Sequence, residues 1–128
     1  MTEKYVIDTS AWIEYAGGTK IGEKLKPIIE EREIASSIMA IAELADKSER
    51  ENNVFERLLR FIQGRGTIIP LSISICLKAA QIKNEQRKRR EKFSLADALH
   101  FATAIQEKAI FVTTDKDFLG LNQVLVLS

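Results

Sequence analysis

Four acidic residues are the strongest candidates for chemistry in this sequence, although they lie far apart along the chain: Asp8, Glu43, Asp97 and Asp115. Asp8 and Asp115 closely follow short apolar runs that are typical of buried strands, and parallel strands gather ligands at the edge where they end. The other two acids lie inside apolar helical stretches, where an unpaired charge is costly to bury. We therefore expect the four carboxylates to meet at one edge of a sheet, with a metal ion to compensate their charge.

The predicted ion is a hard divalent cation such as Mg²⁺ or Mn²⁺, which prefers carboxylate, water and phosphate oxygens as ligands. Without a cation, two carboxylates about 4 Å apart repel each other by about 4 kcal/mol at an effective dielectric near 20. A bound metal can lower the pKa of a water molecule and offset the charge on a phosphoryl group during in-line attack. The acidic residues therefore point to phosphodiester hydrolysis.

Each acid also has an ordinary structural interpretation. Asp8 follows a strand and can cap the next helix, while the segment Ser94–Asp97 matches a capping box. Glu43 can extend from its helix into solvent, and the segment Asp115–Asp117 can form a turn. A functional site requires the four acids to converge, and one sequence alone does not show that they do.

Charge and cysteine content limit the possible functions. Lys and Arg number 19 and Asp and Glu number 18, so any attraction to nucleic acid must depend on local patches. Cys76 is the only cysteine, which excludes an intrachain disulfide or a multi-cysteine zinc site and suits a reducing compartment. No segment has the roughly 20 apolar residues that span a bilayer, and no secretory signal is recognisable. We expect a soluble, cytoplasmic protein.

Strand-like runs alternate with helical segments, and this pattern predicts a parallel sheet. The predicted strands are Tyr5–Ile7, Glu33–Ala35, Thr67–Leu71, Ala109–Thr113 and Val124–Leu127. The predicted helices are a pair between the first two strands, one from Ser36–Ser37 to about Lys47, one starting at Asn52 or Asn53, one from Ser72 to about Lys92, and one from Ser94 to about Lys108. We therefore expect a single α/β domain over residues 1–128, with three α/β/α layers and a short, mainly parallel sheet of about five strands.

The segments around the acids resemble the PIN-domain family, and in particular the small ribonucleases that are the toxins of VapBC toxin–antitoxin pairs. The resemblance spans essentially the whole chain and is carried by Val6–Ser10, the helical segment around Glu43, Ala96–Ala104 and Val112–Phe118. The order and spacing of these segments are more specific than any one of them.

The resemblance implies a PIN-like fold and metal-dependent endonucleolytic cleavage of RNA, with water as the nucleophile. Carried over by position, it implies that the catalytic Mg²⁺ or Mn²⁺ is bound by Asp8, Glu43, Asp97 and Asp115. It also implies that Ser10 and Thr113 support these acids. Asp117 is expected to support Asp115, with binding of a second metal as the alternative. The resemblance further implies a homodimer and a small antitoxin whose tail occupies the acidic groove.

Two further features concern substrate binding. The segment Lys83–Lys92 holds six basic residues and two acids, and Arg87, Arg89 and Arg90 are candidates to bind the RNA backbone. The alternative is a solvated helix end that complements the helix dipole. His100 departs from the family resemblance, because many relatives carry an apolar residue there. We expect it to be a packing or surface residue, with a part in binding substrate or metal as the alternative.

Other functions remain open. The same site would serve an RNA-processing PIN nuclease outside a toxin–antitoxin system, and the same fold would serve a non-catalytic module that binds nucleic acid. Phosphoryl transfer through an aspartyl nucleophile is disfavoured, because Ser10 stands where such enzymes usually carry a second acid. A signalling receiver is disfavoured because the paired acids expected beside its first strand are missing.

Overall fold

Residues 3–128, which the computed structural model describes, contain five strands in one all-parallel sheet. The strands are Lys4–Ile7 (β1), Glu33–Ser37 (β2), Thr67–Ile69 (β3), Ile110–Thr113 (β4) and Val124–Val126 (β5). Their spatial order is β3-β2-β1-β4-β5, so β1 is the central strand. This arrangement confirms the predicted α/β class, and the strand ends differ from the prediction by one or two residues.

The same part of the chain contains six α-helices. They are Thr9–Gly17 (α1), Lys20–Glu31 (α2), Ile38–Arg50 (α3), Glu56–Arg65 (α4), Ile73–Gln86 (α5) and Leu95–Gln106 (α6). Side-chain hydroxyls accept a backbone N–H at the starts of four of them: Thr19, Ser37, Ser72 and Ser94. These caps replace hydrogen bonds that the first turn of a helix cannot make internally. Within residues 3–128, no helix has the length and apolar character needed to cross a membrane.

The sheet separates two apolar cores, because neighbouring side chains of a strand point to opposite faces. Val6 of β1 packs with residues of α5 and α6, whereas Tyr5 and Ile7 pack on the other face with residues of α1, α2 and α4. Trp12 is fully buried in the second core, and its Nε1 donates to Ser36 Oγ at 2.9 Å. The fold therefore has the three predicted layers, and Trp12 packs inside the protein.

Helix α5 ends at Gln86, so the prediction that it continues to about Lys92 was wrong. The next residues form turns that are tied to other parts of the chain. Arg90 Nε donates to the Asp117 carbonyl at 2.8 Å, and Arg90 Nη2 donates to the Leu119 carbonyl at 2.6 Å. Phe93 is fully buried in the core beside Phe118. The helix stops because these long-range contacts replace its next turn.

The boundary between α3 and α4 also differs from the prediction. Helix α3 continues to Arg50, and α4 begins at Glu56 without a side-chain cap. Asn52 has a φ of 55°, in the left-handed region, and lies in the turn after α3. The Asn52–Asn53 pair therefore ends one helix and does not cap the next, which corrects the predicted start.

We expect Gly66→Ala to lower the free energy of unfolding by about 1–3 kcal/mol, the usual cost of overpacking. Gly66 joins α4 to β3, and a Cβ atom there would lie 2.4 Å from the Ile34 carbonyl oxygen on β2. Either the backbone of β2 or that of β3 would have to move. Urea unfolding followed by circular dichroism measures the change.

Gly64→Ala is the matched control for this substitution. A Cβ atom at Gly64 meets no other atom within 4 Å, and the residue lies inside α4. Alanine has a higher helix propensity than glycine, so this variant should be more stable by up to about 1 kcal/mol. Equal effects of the two alanines would contradict the proposed steric contact.

Candidate active site

Asp8 and Asp115 lie at the same edge of the sheet, as predicted. β1 and β4 are neighbours, with Ile7 paired to Val112, and the Asp8 backbone N–H donates to the Val112 carbonyl at 2.8 Å. Asp115 follows β4 by two residues. The carboxyl ends of these strands therefore bring two of the four predicted acids together.

Asp8 occupies the N-cap position of α1, but its side chain makes no capping hydrogen bond. It is 7% exposed, and its Oδ2 accepts from Thr113 Oγ1 at 2.7 Å and from Ser10 Oγ at 3.0 Å. The helix-cap interpretation of this side chain was therefore wrong. Its other oxygen, Oδ1, takes part in neither bond and lies 3.8 Å from His100 Nδ1.

Ser10 and Thr113, the two predicted supporting residues, connect Asp8 to the end of β4. Ser10 Oγ accepts the Thr114 N–H at 3.0 Å, and Thr113 Oγ1 accepts the Asp115 N–H at 3.0 Å. The two hydroxyl oxygens are 3.2 Å apart. This network fixes the Asp8 carboxylate relative to the backbone at Asp115.

Asp115 begins a short 3₁₀ helix, Lys116–Phe118, and its Oδ1 accepts the Asp117 N–H at 2.9 Å. The turn interpretation of this segment is therefore confirmed, and Asp117 supports Asp115 through its backbone. Burial raises the pKa of Asp115, and the negative charges of Asp117, Asp97 and Asp8 raise it further against the effect of the Asp117 N–H. Asp115 is thus close enough to Asp97 and Asp8 for their charges to act on it.

Asp97 lies in the first turn of α6 and forms the capping box expected from the sequence. Its Oδ2 accepts the Ser94 N–H at 2.8 Å, while Ser94 Oγ accepts the Asp97 N–H at 3.0 Å. The other carboxylate oxygen takes no part in the box. The structural interpretation of Asp97 is therefore correct, and it leaves one oxygen for another role.

Glu43 is held on α3 by two donors that the sequence analysis did not assign to it. Its Oε1 accepts from Thr9 Oγ1 at 2.7 Å and from His100 Nε2 at 2.5 Å. The bond from His100 lowers the pKa of Glu43, and the bond from Thr9 adds to this effect against burial. The side chain is 41% exposed but bonded within the protein, so it does not simply extend into solvent.

His100 and Thr9 are the site residues whose contacts sequence reasoning missed. His100 is 3% exposed on α6 and lies between Glu43 and Asp8. Burial disfavours the charged imidazole, but the bond to Glu43 and the charges of Asp8, Glu43 and Asp97 outweigh burial and raise the pKa of His100. The available signals were a histidine three residues after Asp97 and a hydroxyl directly after Asp8.

The donor chemistry of this cluster fits a hard divalent cation. Each of the four acids uses one oxygen in the bonds described above and has a second oxygen outside them, and carboxylate oxygens are the ligands that Mg²⁺ and Mn²⁺ prefer. The types of ligand suit such a cation, but the spacing of the side chains does not. Within residues 3–128, no three His, Cys, Asp or Glu side chains stand at the mutual spacing of a ready-made metal site. Binding a cation would therefore need these side chains to rearrange.

Two of the three arginines predicted to bind substrate make hydrogen bonds within the protein. Arg87 Nη1 donates to the Phe93 carbonyl at 3.0 Å, and Arg90 donates to the backbone at Asp117 and Leu119. Arg89 is exposed. Arg90 contacts Asp117, so the turn that carries the three arginines (residues 87–90, the basic turn) lies next to the segment that holds Asp115. RNA binding by these arginines stays a prediction.

We expect Thr113→Val to lower the free energy of unfolding by about 1–3 kcal/mol, because valine has nearly the same shape but leaves buried polar groups without partners. Thr113 is fully buried, donates to Asp8 and accepts the Asp115 N–H. Thr67→Val, at an exposed position of β3, is the matched control and should change stability by less than about 0.5 kcal/mol. Equal urea midpoints for the two variants would show that the Thr113 hydroxyl does not hold the site together.

Comparison with known proteins identifies the family. The sequence profile of the PIN domain matches residues 5–122. No curated protein sequence matches the chain at a significant level. Among solved structures, the fold is similar to a toxin–antitoxin complex from Klebsiella pneumoniae, with a TM-score of 0.77, 21% identity, and coverage of 95% of this chain and 96% of that chain.

Two other structures share the fold at similarly low identity. VapBC2 from Rickettsia felis, bound to a DNA fragment from its promoter, has a TM-score of 0.76, 20% identity, and coverage of 98% of this chain and 99% of that chain. The sarcin-ricin loop cleaving toxin VapC20 from Mycobacterium tuberculosis has a TM-score of 0.70, 16% identity, and coverage of 97% and 99%. These identities support a common fold. Because the PIN-domain profile spans most of the sequence, this chain belongs to the PIN-domain family.

Proposed function

We propose that this protein is a metal-dependent endoribonuclease that hydrolyses RNA phosphodiester bonds, and that it is the toxin of a cytoplasmic toxin–antitoxin pair. The observation that carries the proposal is the placement of Asp8 and Asp115 just after the neighbouring strands β1 and β4, with His100 lying between Asp8 and Glu43. Burial and then the charges of Asp117, Asp97 and Asp8 raise the pKa of Asp115, and the negative charges around it support a role for a cation there.

The residues have distinct parts in this proposal. Asp8, Glu43, Asp97 and Asp115 hold Mg²⁺ or Mn²⁺, which when bound supplies an activated water and offsets charge on the phosphoryl group. Thr113 and Ser10 orient the Asp8 carboxylate through its Oδ2. The Asp117 backbone N–H orients Asp115 through its Oδ1.

The proposed partners are an antitoxin and a second copy of this chain. The Klebsiella pneumoniae and Rickettsia felis structures are a toxin–antitoxin complex and a VapBC complex, which supports an antitoxin partner here. A groove of about 310 Å³ between α1, α3 and α4, with Ile13, Leu44 and Leu58 among its lining residues, suits the apolar face of an antitoxin helix. On α5, Ile73 and Leu77 are 80% and 64% exposed, and a second subunit would cover them.

Cleavage of a labelled RNA pool tests the proposed activity. We expect cleavage with Mg²⁺ or Mn²⁺, none with EDTA, and a loss of about a hundredfold or more in Asp8→Asn, the scale of removing a group that acts on the reacting atoms. Asp46→Asn is the matched control, since Asp46 is an exposed acid of α3 paired with Arg50. Undiminished cleavage in EDTA or in Asp8→Asn would reject the proposal. Binding of RNA without cleavage would favour a non-catalytic module, and cleavage without any antitoxin partner would favour an RNA-processing enzyme.

Arg89 allows a test of the basic turn that leaves the fold intact. Arg87 and Arg90 hold backbone carbonyls, so their substitution would disturb the turn itself. We expect Arg89→Ala to weaken RNA binding and to reduce the slope of log K against log salt by about one, as loss of one phosphate contact does. Arg60→Ala, at an exposed arginine of α4, is the control. If log K depends on log salt with the same slope in both variants, Arg89 makes no phosphate contact and is an ordinary solvated surface residue.

A further inference from the structure

We propose that His100 is a positioning residue for the acidic site, which holds Glu43 through Nε2 and separates it from Asp8, so that Glu43 presents its second oxygen to the cation. This inference rests on the proposed metal-dependent function and concerns how the chain prepares the site. His100 Nε2 lies 2.5 Å from Glu43 Oε1, and His100 Nδ1 lies 3.8 Å from Asp8 Oδ1. One imidazole ring therefore stands between acids that come from α3 and from the end of β1.

The burial of His100 indicates that the ring serves more than packing. Within residues 3–128, His100 Nδ1 is the only buried side-chain nitrogen or oxygen without a hydrogen-bond partner. An unsatisfied buried polar atom is costly, and such exceptions call for an explanation. A leucine would fill the same space without this cost. The ring also packs against Phe111, with centroids 6.3 Å apart, so its plane is fixed by the core.

Glu43 is the acid that most needs such support. It reaches the site from α3 on a long side chain that is 41% exposed, whereas Asp8, at the end of the central strand, is nearly buried. Both donors to Glu43, Thr9 and His100, bind the same oxygen, Oε1. Oε2 takes part in neither bond. Hydrogen bonds that fix one part of a metal-binding side chain typically raise metal affinity by 10–100-fold, because they hold the ligand in place.

Three substitutions at His100 separate positioning from packing and from direct metal binding. In His100→Gln the amide nitrogen can reach the place of Nε2 and donate to Glu43. In His100→Asn the amide is shorter and matches Nδ1, so it cannot reach Glu43. His100→Leu removes both nitrogens but keeps an apolar side chain. The measurements are Mn²⁺ affinity by isothermal titration calorimetry and the rise in melting temperature that Mn²⁺ produces.

We expect His100→Gln to bind Mn²⁺ within about threefold of the unmodified protein, and His100→Asn and His100→Leu to bind it about 10–100-fold more weakly. Asp46→Asn, on the outer surface of α3, should bind Mn²⁺ normally. Melting temperatures measured without Mn²⁺ identify any variant that is simply less folded. If His100→Leu proves to be such a variant, the comparison of His100→Gln with His100→Asn still tests the inference.

Each other outcome contradicts the inference in a different way. If Asn and Leu bind Mn²⁺ as tightly as histidine does, the ring only packs. If Gln loses as much affinity as Asn, the ring binds the metal directly and does not act through Glu43. If the unmodified protein binds no Mn²⁺, the proposed metal-dependent function fails, and the role of His100 falls with it.

Discussion

Repulsion between like charges is the constraint that this site must satisfy. Two carboxylates about 4 Å apart repel by about 4 kcal/mol at an effective dielectric near 20. Here Asp8 and Asp115 follow neighbouring strands, and His100 lies between Asp8 and Glu43. Each carboxylate accepts hydrogen bonds from the protein. The donors are hydroxyls for Asp8, backbone N–H groups for Asp97 and Asp115, and a hydroxyl with an imidazole for Glu43. A hydrogen bond to a carboxylate stabilises its negative charge, so these donors offset part of the repulsion.

The sheet register determines where these donors lie. Ile7 of β1 is paired with Val112 of β4, so the next residues, Asp8 and Thr113, emerge side by side although they are 105 positions apart in sequence. A shift of one residue would turn Thr113 to the other face of the sheet and remove its bond to Asp8. The apolar residues that fix the register, such as Val6 and Phe111, therefore also fix the site.

The sequence predicted the parts of this arrangement that depend on local pattern. Apolar runs marked the five strands, and the spacing of Ser94 and Asp97 marked a capping box, because both signals lie within a few residues. The contact of His100 with Glu43 joins residues 57 positions apart, and no local pattern reports it. The end of α5 was missed for the same reason, since Arg90 is drawn away by carbonyls at Asp117 and Leu119.

The structural and functional interpretations of the acids are compatible because a carboxylate has two oxygens. Asp97 uses Oδ2 in its capping box, and Asp115 uses Oδ1 in its turn, so both acids satisfy the backbone while the second oxygen stays outside those bonds. A capping bond also fixes the side chain's rotamer, which lowers the entropy that a bound ligand would otherwise have to remove. Finding that an acid caps a helix is therefore no argument against its binding a cation. At Asp97 and Asp115 the capping bond orients the acid, whereas Asp8 is oriented by the hydroxyls of Ser10 and Thr113. Glu43 lies in mid-helix and accepts from Thr9 and His100 instead.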